Sequence, residues 1–187
     1  MESSQNQCAL LVEAVDFAAI RHRNQRRKDK EGTPYINHPI GVARILTAEG
    51  KIFDITTLQA AVLHDIVEDT DTTFEEIEKI FGKKVRDILA EVTDDKTQTK
   101  QMRKQLQIEN ASKCSYEARL IKLADKLYIL RDLHTSTPEG WSERKVQEYF
   151  DWAKKVVEGL RGTNKDIEAE LDKLFNEHNS PIESVAL

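Results

Sequence analysis

Residues 56–69 read TTLQAAVLHDIVED, an apolar run that passes without a break into one histidine and three carboxylates. Leu58, Ala61, Leu63, Ile66 and Val67 recur at the three- and four-residue spacing of a helix. They cover it nearly all round, so the helix belongs inside the domain. Thr56 followed by Gln59 has the form of a capping box and sets the predicted start. Successive helical residues advance by about 100°. His64, Asp65, Glu68 and Asp69 therefore fall within an arc of about 140°, shared lower down by Leu58 and Ala61. One stripe changes from apolar to ionisable.

A solvated acidic face fits poorly on a helix that is apolar elsewhere. Buried carboxylates need a counter-charge, because leaving one unpaired costs several kcal/mol. A divalent metal is the economical one for an adjacent His-Asp pair; the bland alternative is a satisfied core histidine with its acids paired to Arg and Lys.

The 3.6-residue period recurs through CALLVEAVDFAAIRHRNQRR, PIGVARILTAEG, FEEIEKIF and KKVRDILAEVTD. It continues through KQMRKQLQIEN, SYEARLIKLADKLYILRDL, SERKVQEYFDWAKKVVEGL and NKDIEAELDKLF. Thr73 with Glu76 opens FEEIEKIF and Gly82 closes it, while Gly32 and Pro34 break the pattern in KDKEGTPYINH, just before Pro39 in an early helical position. No stretch alternates with period two, so the predicted fold is all-α. With 187 residues, 39% hydrophobic and only 7 Gly and 4 Pro, the chain reads as one helical domain over 1–187. Its core spans about 10–175, with ragged ends at the first few residues and in NSPIESVAL.

A net charge of −5 argues against a general nucleic-acid binder. No apolar run nears the roughly 20 residues that span a bilayer, and MESSQNQCAL lacks signal-peptide order. The expectation is a cytoplasmic protein with no membrane association and with Cys8 and Cys114 as free thiols. A homodimer stays open, since dimer-forming apolar surface reads like core.

Further ligands are sought on other apolar faces. Asp125 is a lone acid on the stripe of Ala118, Ile121 and Ile129, and His38 stands at the mouth of its helix. His22 and His134 lie in basic or polar sequence, read as exposed, and are left out. Two imidazoles and two carboxylates suit Mn, Fe, Co or Zn better than Ca.

The blocks RRKDKEGTPYINHPIGVARIL, AAVLHDIVEDTDTT, EVTDDK, KLADKLYILRDL and TPEGWSERKVQEYF resemble the HD-domain hydrolases of the RelA/SpoT group, most closely the small animal SpoT homologs. The resemblance runs from about Leu10 to Phe175. It implies an HD fold with one bound metal, usually manganese, with His38, His64, Asp65 and Asp125 as ligands and Glu68 and Asp69 as catalytic acids. The implied substrate is a small nucleotide: guanosine tetra- or pentaphosphate loses its 3′-diphosphate to give GDP or GTP and pyrophosphate.

By the same resemblance Arg27 and Lys28 contact nucleotide or phosphate, and Tyr35 faces the base or a phosphate. Read alone, the basic run of Arg26, Arg27 and Lys28 also suits a helix C-terminus, and Tyr35 ordinary packing. Lys145 stands where close relatives carry a substrate-contacting arginine, so charge is kept and the bidentate fork lost. Ile129 departs from the family, which has asparagine there reaching the substrate. A 2′-phosphatase acting on NADPH at the same site, and a nucleotide-binding module weakened by Ile129, are the competing readings.

Overall fold

The computed structural model describes residues 2–179, and among these every named element is helical. The ten α-helices are α1 (Glu2–Arg21), α2 (Asn37–Ala48), α3 (Ile55–Leu63), α4 (Ile66–Asp69), α5 (Phe74–Phe81), α6 (Lys83–Val92), α7 (Lys100–Asn110), α8 (Tyr116–Thr135), α9 (Glu143–Leu160) and α10 (Lys165–Asn179). The all-α expectation holds. Met1 and the tail 180–187, where ragged ends were expected, lie outside the described residues.

The decisive stretch is central. Every residue from Thr57 to Leu63 is buried, and α3 packs against α1, α2, α6 and α8. Its cap differs from the expected one. Asp54, not Thr56, caps α3, its carboxylate accepting from the Thr57 N–H at 2.9 Å and the Thr57 hydroxyl at 2.8 Å. Gln59 could not close a capping box from where it sits: it is buried, and its amide donates to the Leu10 carbonyl at 3.1 Å. Thr73 does cap α5, accepting from Glu76 N, and Gly82 ends that helix with φ of 85°, which only glycine adopts freely.

The sequence predicts one helix over 56–69; the chain instead interrupts it at His64 and Asp65. The cause is local. The His64 ring Nδ1 donates to the Ala61 carbonyl at 2.8 Å, which is the acceptor the Asp65 N–H would use in a continuous helix. Asp65 relaxes to φ −96° and ψ −2°, a sparsely occupied region in which active-site residues are often found. The helical direction resumes one residue later.

Long α8 is the second axis, packed on α2, α3, α6, α9 and α10. Gly41 sets how closely α2 and α8 approach: a Cβ there would meet the Tyr128 ring at 2.0 Å. With no side chain at 41, the Tyr128 ring also reaches His38, the centroids 4.9 Å apart. The His-bearing end of α2 is thereby pressed onto the Asp-bearing middle of α8.

Candidate active site

Four electron-pair donors meet where α2, the α3–α4 break and α8 come together. His38 Nε2 lies 3.2 Å from His64 Nε2, 3.4 Å from Asp65 Oδ2 and 3.2 Å from Asp125 Oδ1. His64 Nε2 lies 3.1 Å from Asp65 Oδ2 and 3.8 Å from Asp125 Oδ1. Because His64 Nδ1 donates to a carbonyl, the neutral ring carries its lone pair on Nε2, directed into this cluster. Ligand atoms each about 2.1 Å from one ion sit about 3 Å or a little more from one another, and the observed spacings are of that size. Both imidazoles are buried. The set fits a divalent metal ion, with His38, His64 and Asp65 as its tightest group and Asp125 closing the fourth side.

Surrounding groups hold the donors in place. Tyr35 donates its hydroxyl to Asp65 Oδ2 at 2.5 Å; burial and the Asp65 charge push the phenol far above its ordinary range, so it stays a donor. Lys126 donates to Asp125 Oδ2 at 2.8 Å, leaving Oδ1 for the cluster. Burial would raise Asp125, but the charge on Lys126 and the imidazole of His38 hold it well below the carboxylate range.

Protons and metal compete for His64. Burial pushes the imidazole down, yet the charge and hydrogen bond of Asp65, with Asp125 behind it, carry it up to about 9. A ligating ring must be unprotonated. Apparent metal affinity should therefore climb by about tenfold per pH unit from about pH 6 and flatten above about 9. Metal titrations of the metal-free protein across that range check this; an affinity indifferent to pH would contradict it.

Glu68 and Asp69 stand one turn on, their side chains 21% and 25% exposed. Burial raises the Glu68 carboxyl, opposed by the Asp94 N–H that it accepts at 3.1 Å and reinforced by the charges of Asp94, Asp65 and Asp69. Asp69 is held from two loops, by Gln25 Nε2 at 2.9 Å and by Lys96 Nζ at 2.9 Å.

All six residues line one cavity of about 590 Å³, within the range of small-molecule sites. Arg27, Lys28, Tyr35 and Ile129 line it too. Arg27 is ion-paired with Asp132 and lies over the Tyr128 ring at 5.2 Å. Lys145 is not part of the wall; its ammonium sits 4.3 Å over the ring of Trp141, which is.

Several residues were not singled out from the sequence. Lys126 is 5% exposed and also lies over Trp152 at 4.9 Å; a lysine beside a buried aspartate was the available signal. Lys122, pushed down by burial, joins it in the cavity with Trp141, Tyr149 and Trp152. His22 corrects an expectation: it is 2% exposed, not solvated. The basic run HRNQRR hid this, because α1 ends at Arg21 and His22 turns inward. His134 is exposed as expected, near Glu177.

Paired imidazoles and carboxylates between helices define an HD domain, and residues 14–152 match that family, described as HD domain. The chain is 65% identical over 167 residues to the guanosine-3′,5′-bis(diphosphate) 3′-pyrophosphohydrolase MESH1 of Xenopus tropicalis, covering 89% of this chain and 93% of that protein. It is 62% identical over 177 residues to the Homo sapiens protein of the same name, covering 95% and 99%. The solved structure described as a metazoan ortholog of SpoT that hydrolyzes ppGpp and plays a role in starvation responses matches with a TM-score of 0.90 at 54% identity, over 91% of this chain and 96% of that one. The chain belongs to the HD-domain family and, within it, to the MESH1 group of pyrophosphohydrolases.

Proposed function

We propose that the chain removes the 3′-diphosphate of guanosine tetra- and pentaphosphate, releasing pyrophosphate and GDP or GTP. The observation that carries this is the convergence of His38, His64, Asp65 and Asp125 in one wall of a cavity rimmed by Arg27 and Lys28. The names of the similar proteins supply the substrate. The working unit is the helical core of about residues 10–175.

His38, His64, Asp65 and Asp125 would hold the metal, which we assign as manganese on the family resemblance; the mixed nitrogen and oxygen donors equally suit zinc or another divalent transition metal. Bound there, a divalent ion supplies Lewis acidity and brings water towards ionisation near neutral pH. Glu68, its carboxyl raised by burial, accepts the proton of the water that attacks the phosphorus bonded to the 3′-oxygen. Asp69, fixed by Gln25 and Lys96, orients that water. The P–O3′ bond breaks, the 3′-oxygen leaves with a proton, and pyrophosphate departs. Arg27, Lys28 and Lys126 offset the charge of the diphosphates within an otherwise acidic protein. Both cysteines are free thiols, in keeping with a cytoplasmic setting, and no described helix is long and apolar enough to cross a membrane.

Ile129 offers the substrate no hydrogen bond from the α8 wall. One neutral hydrogen bond contributes about 1 kcal/mol, so Ile129→Asn should raise kcat/KM by roughly fivefold. Steady-state kinetics of the variant check this; unchanged kcat and KM would show that the position is silent.

Incubating the metal-loaded protein with guanosine tetraphosphate and with NADPH, and identifying the anion released, tests the assignment. Pyrophosphate from the first supports it. Orthophosphate from NADPH alone would replace it with the 2′-phosphatase reading, and no release from either with a binding module.

A further inference from the structure

His22 is buried, titratable and outside the proposed machinery, yet it touches two of its supports. It follows α1 directly, anchored by its N–H to the Ala18 carbonyl at 2.9 Å. Its Nδ1 lies 2.7 Å from Gln25 Oε1, and Gln25 Nε2 lies 2.9 Å from Asp69 Oδ2. Its ring packs against Tyr35 at a tilt of 38°, centroids 5.0 Å apart, and Tyr35 donates to Asp65.

The donor and acceptor roles along this chain follow from elementary chemistry. The Asp69 carboxylate only accepts, so Gln25 must turn its amide nitrogen towards it. The amide oxygen then faces His22, which must carry its proton on Nδ1. The other ring nitrogen, Nε2, is buried without a hydrogen-bond partner among the described residues. The proton on Nδ1 is thus set by the amide oxygen that it faces. Reversing the Gln25 amide would set its oxygen against the carboxylate and its nitrogen against a ring N–H.

We infer that His22 and Gln25 are positioning residues that lock the rotamer of Asp69: the ring fixes the amide, and the amide fixes the carboxylate. This rests on the proposed role of Asp69 at the attacking water. A misplacement of about 1 Å in such a group can cost about a hundredfold in rate, so orientation is worth holding from behind. Lys96 alone, on a flexible stem with three rotatable donors, sets charge but not direction.

Three substitutions and their combination test the relay. His22→Phe keeps the ring against Tyr35 and deletes the Nδ1 donor; it should lower kcat by about tenfold with KM little changed. His22→Asn restores a donor at the Nδ1 position without the ring, and should be faster than His22→Phe. Gln25→Ala should lower kcat by at least as much, and the double variant His22→Phe/Gln25→Ala should be no slower than Gln25→Ala alone. Imidazole ¹⁵N shifts should show His22 protonated on Nδ1 in the parent. Independent, multiplying effects, or His22→Asn no better than His22→Phe, would overturn the relay while Asp69→Ala remains inactive. Full turnover by Asp69→Ala would instead overturn the role of Asp69, and the relay with it.

Discussion

Asp65→Ala should cost about a thousandfold or more in kcat and empty the site of metal. Among the described residues Asp65 Oδ2 is the one carboxylate oxygen within 3.4 Å of both imidazole Nε2 atoms, so its loss would remove the charge proposed to hold the two rings to a common ion. A Lewis acid contributes several kcal/mol to such a reaction, and each 1.36 kcal/mol is tenfold in rate. Tyr35 loses its acceptor at the same time, leaving a half-buried hydroxyl without that partner. Metal content and turnover measured on one preparation check this. Metal retained at full occupancy with near-parent turnover would remove Asp65 from the ligand set.

Glu68→Gln should behave differently: a loss of about 10²- to 10⁴-fold in kcat, the size of a positioned proton acceptor, with metal content and KM near the parent's. Glutamine keeps the shape and can still accept from the Asp94 N–H, so packing survives. The ionisable oxygen is lost, and with it the charge that faces Arg103 at 3.4 Å. Because burial raises the Glu68 carboxyl, the acid limb of the parent pH profile should lie above the ordinary glutamate range and vanish in the variant. A Glu68→Gln protein with parental kcat would move the proton transfer elsewhere, with Asp69 next in reach.

Helical phase made much of this legible. An apolar stripe turning ionisable at His64 placed the donor pair at the end of the most buried helix, and Asp125 stood out as a lone acid on an apolar row. Both signals come from the cost of burying charge, which sequence records wherever the surrounding residues are unambiguously apolar. His38 was weaker alone, since its position depends on Gly41 letting α2 settle on Tyr128, a long-range approach that no local pattern encodes.

What escaped the sequence shares a cause: side chains choosing non-local or backbone partners. The His64 ring took the Ala61 carbonyl and broke a helix that looked continuous. Gln59 reached to Leu10 instead of closing a cap. His22 lay in a run of basic residues and still turned inward onto Tyr35. Lys126 pairs with its own neighbour Asp125, an interaction that i, i+1 geometry on a helix would not suggest. Lys145, assigned by resemblance, meets the ring of Trp141 rather than the cavity.

The most direct test of a metal-held site acting on a 3′-diphosphate is chelation and reconstitution with guanosine tetraphosphate as substrate. The protein should form GDP and pyrophosphate in equal amounts, stop when stripped of metal, and recover on adding manganese. Pyrophosphate release that continues unchanged in the stripped protein would contradict it.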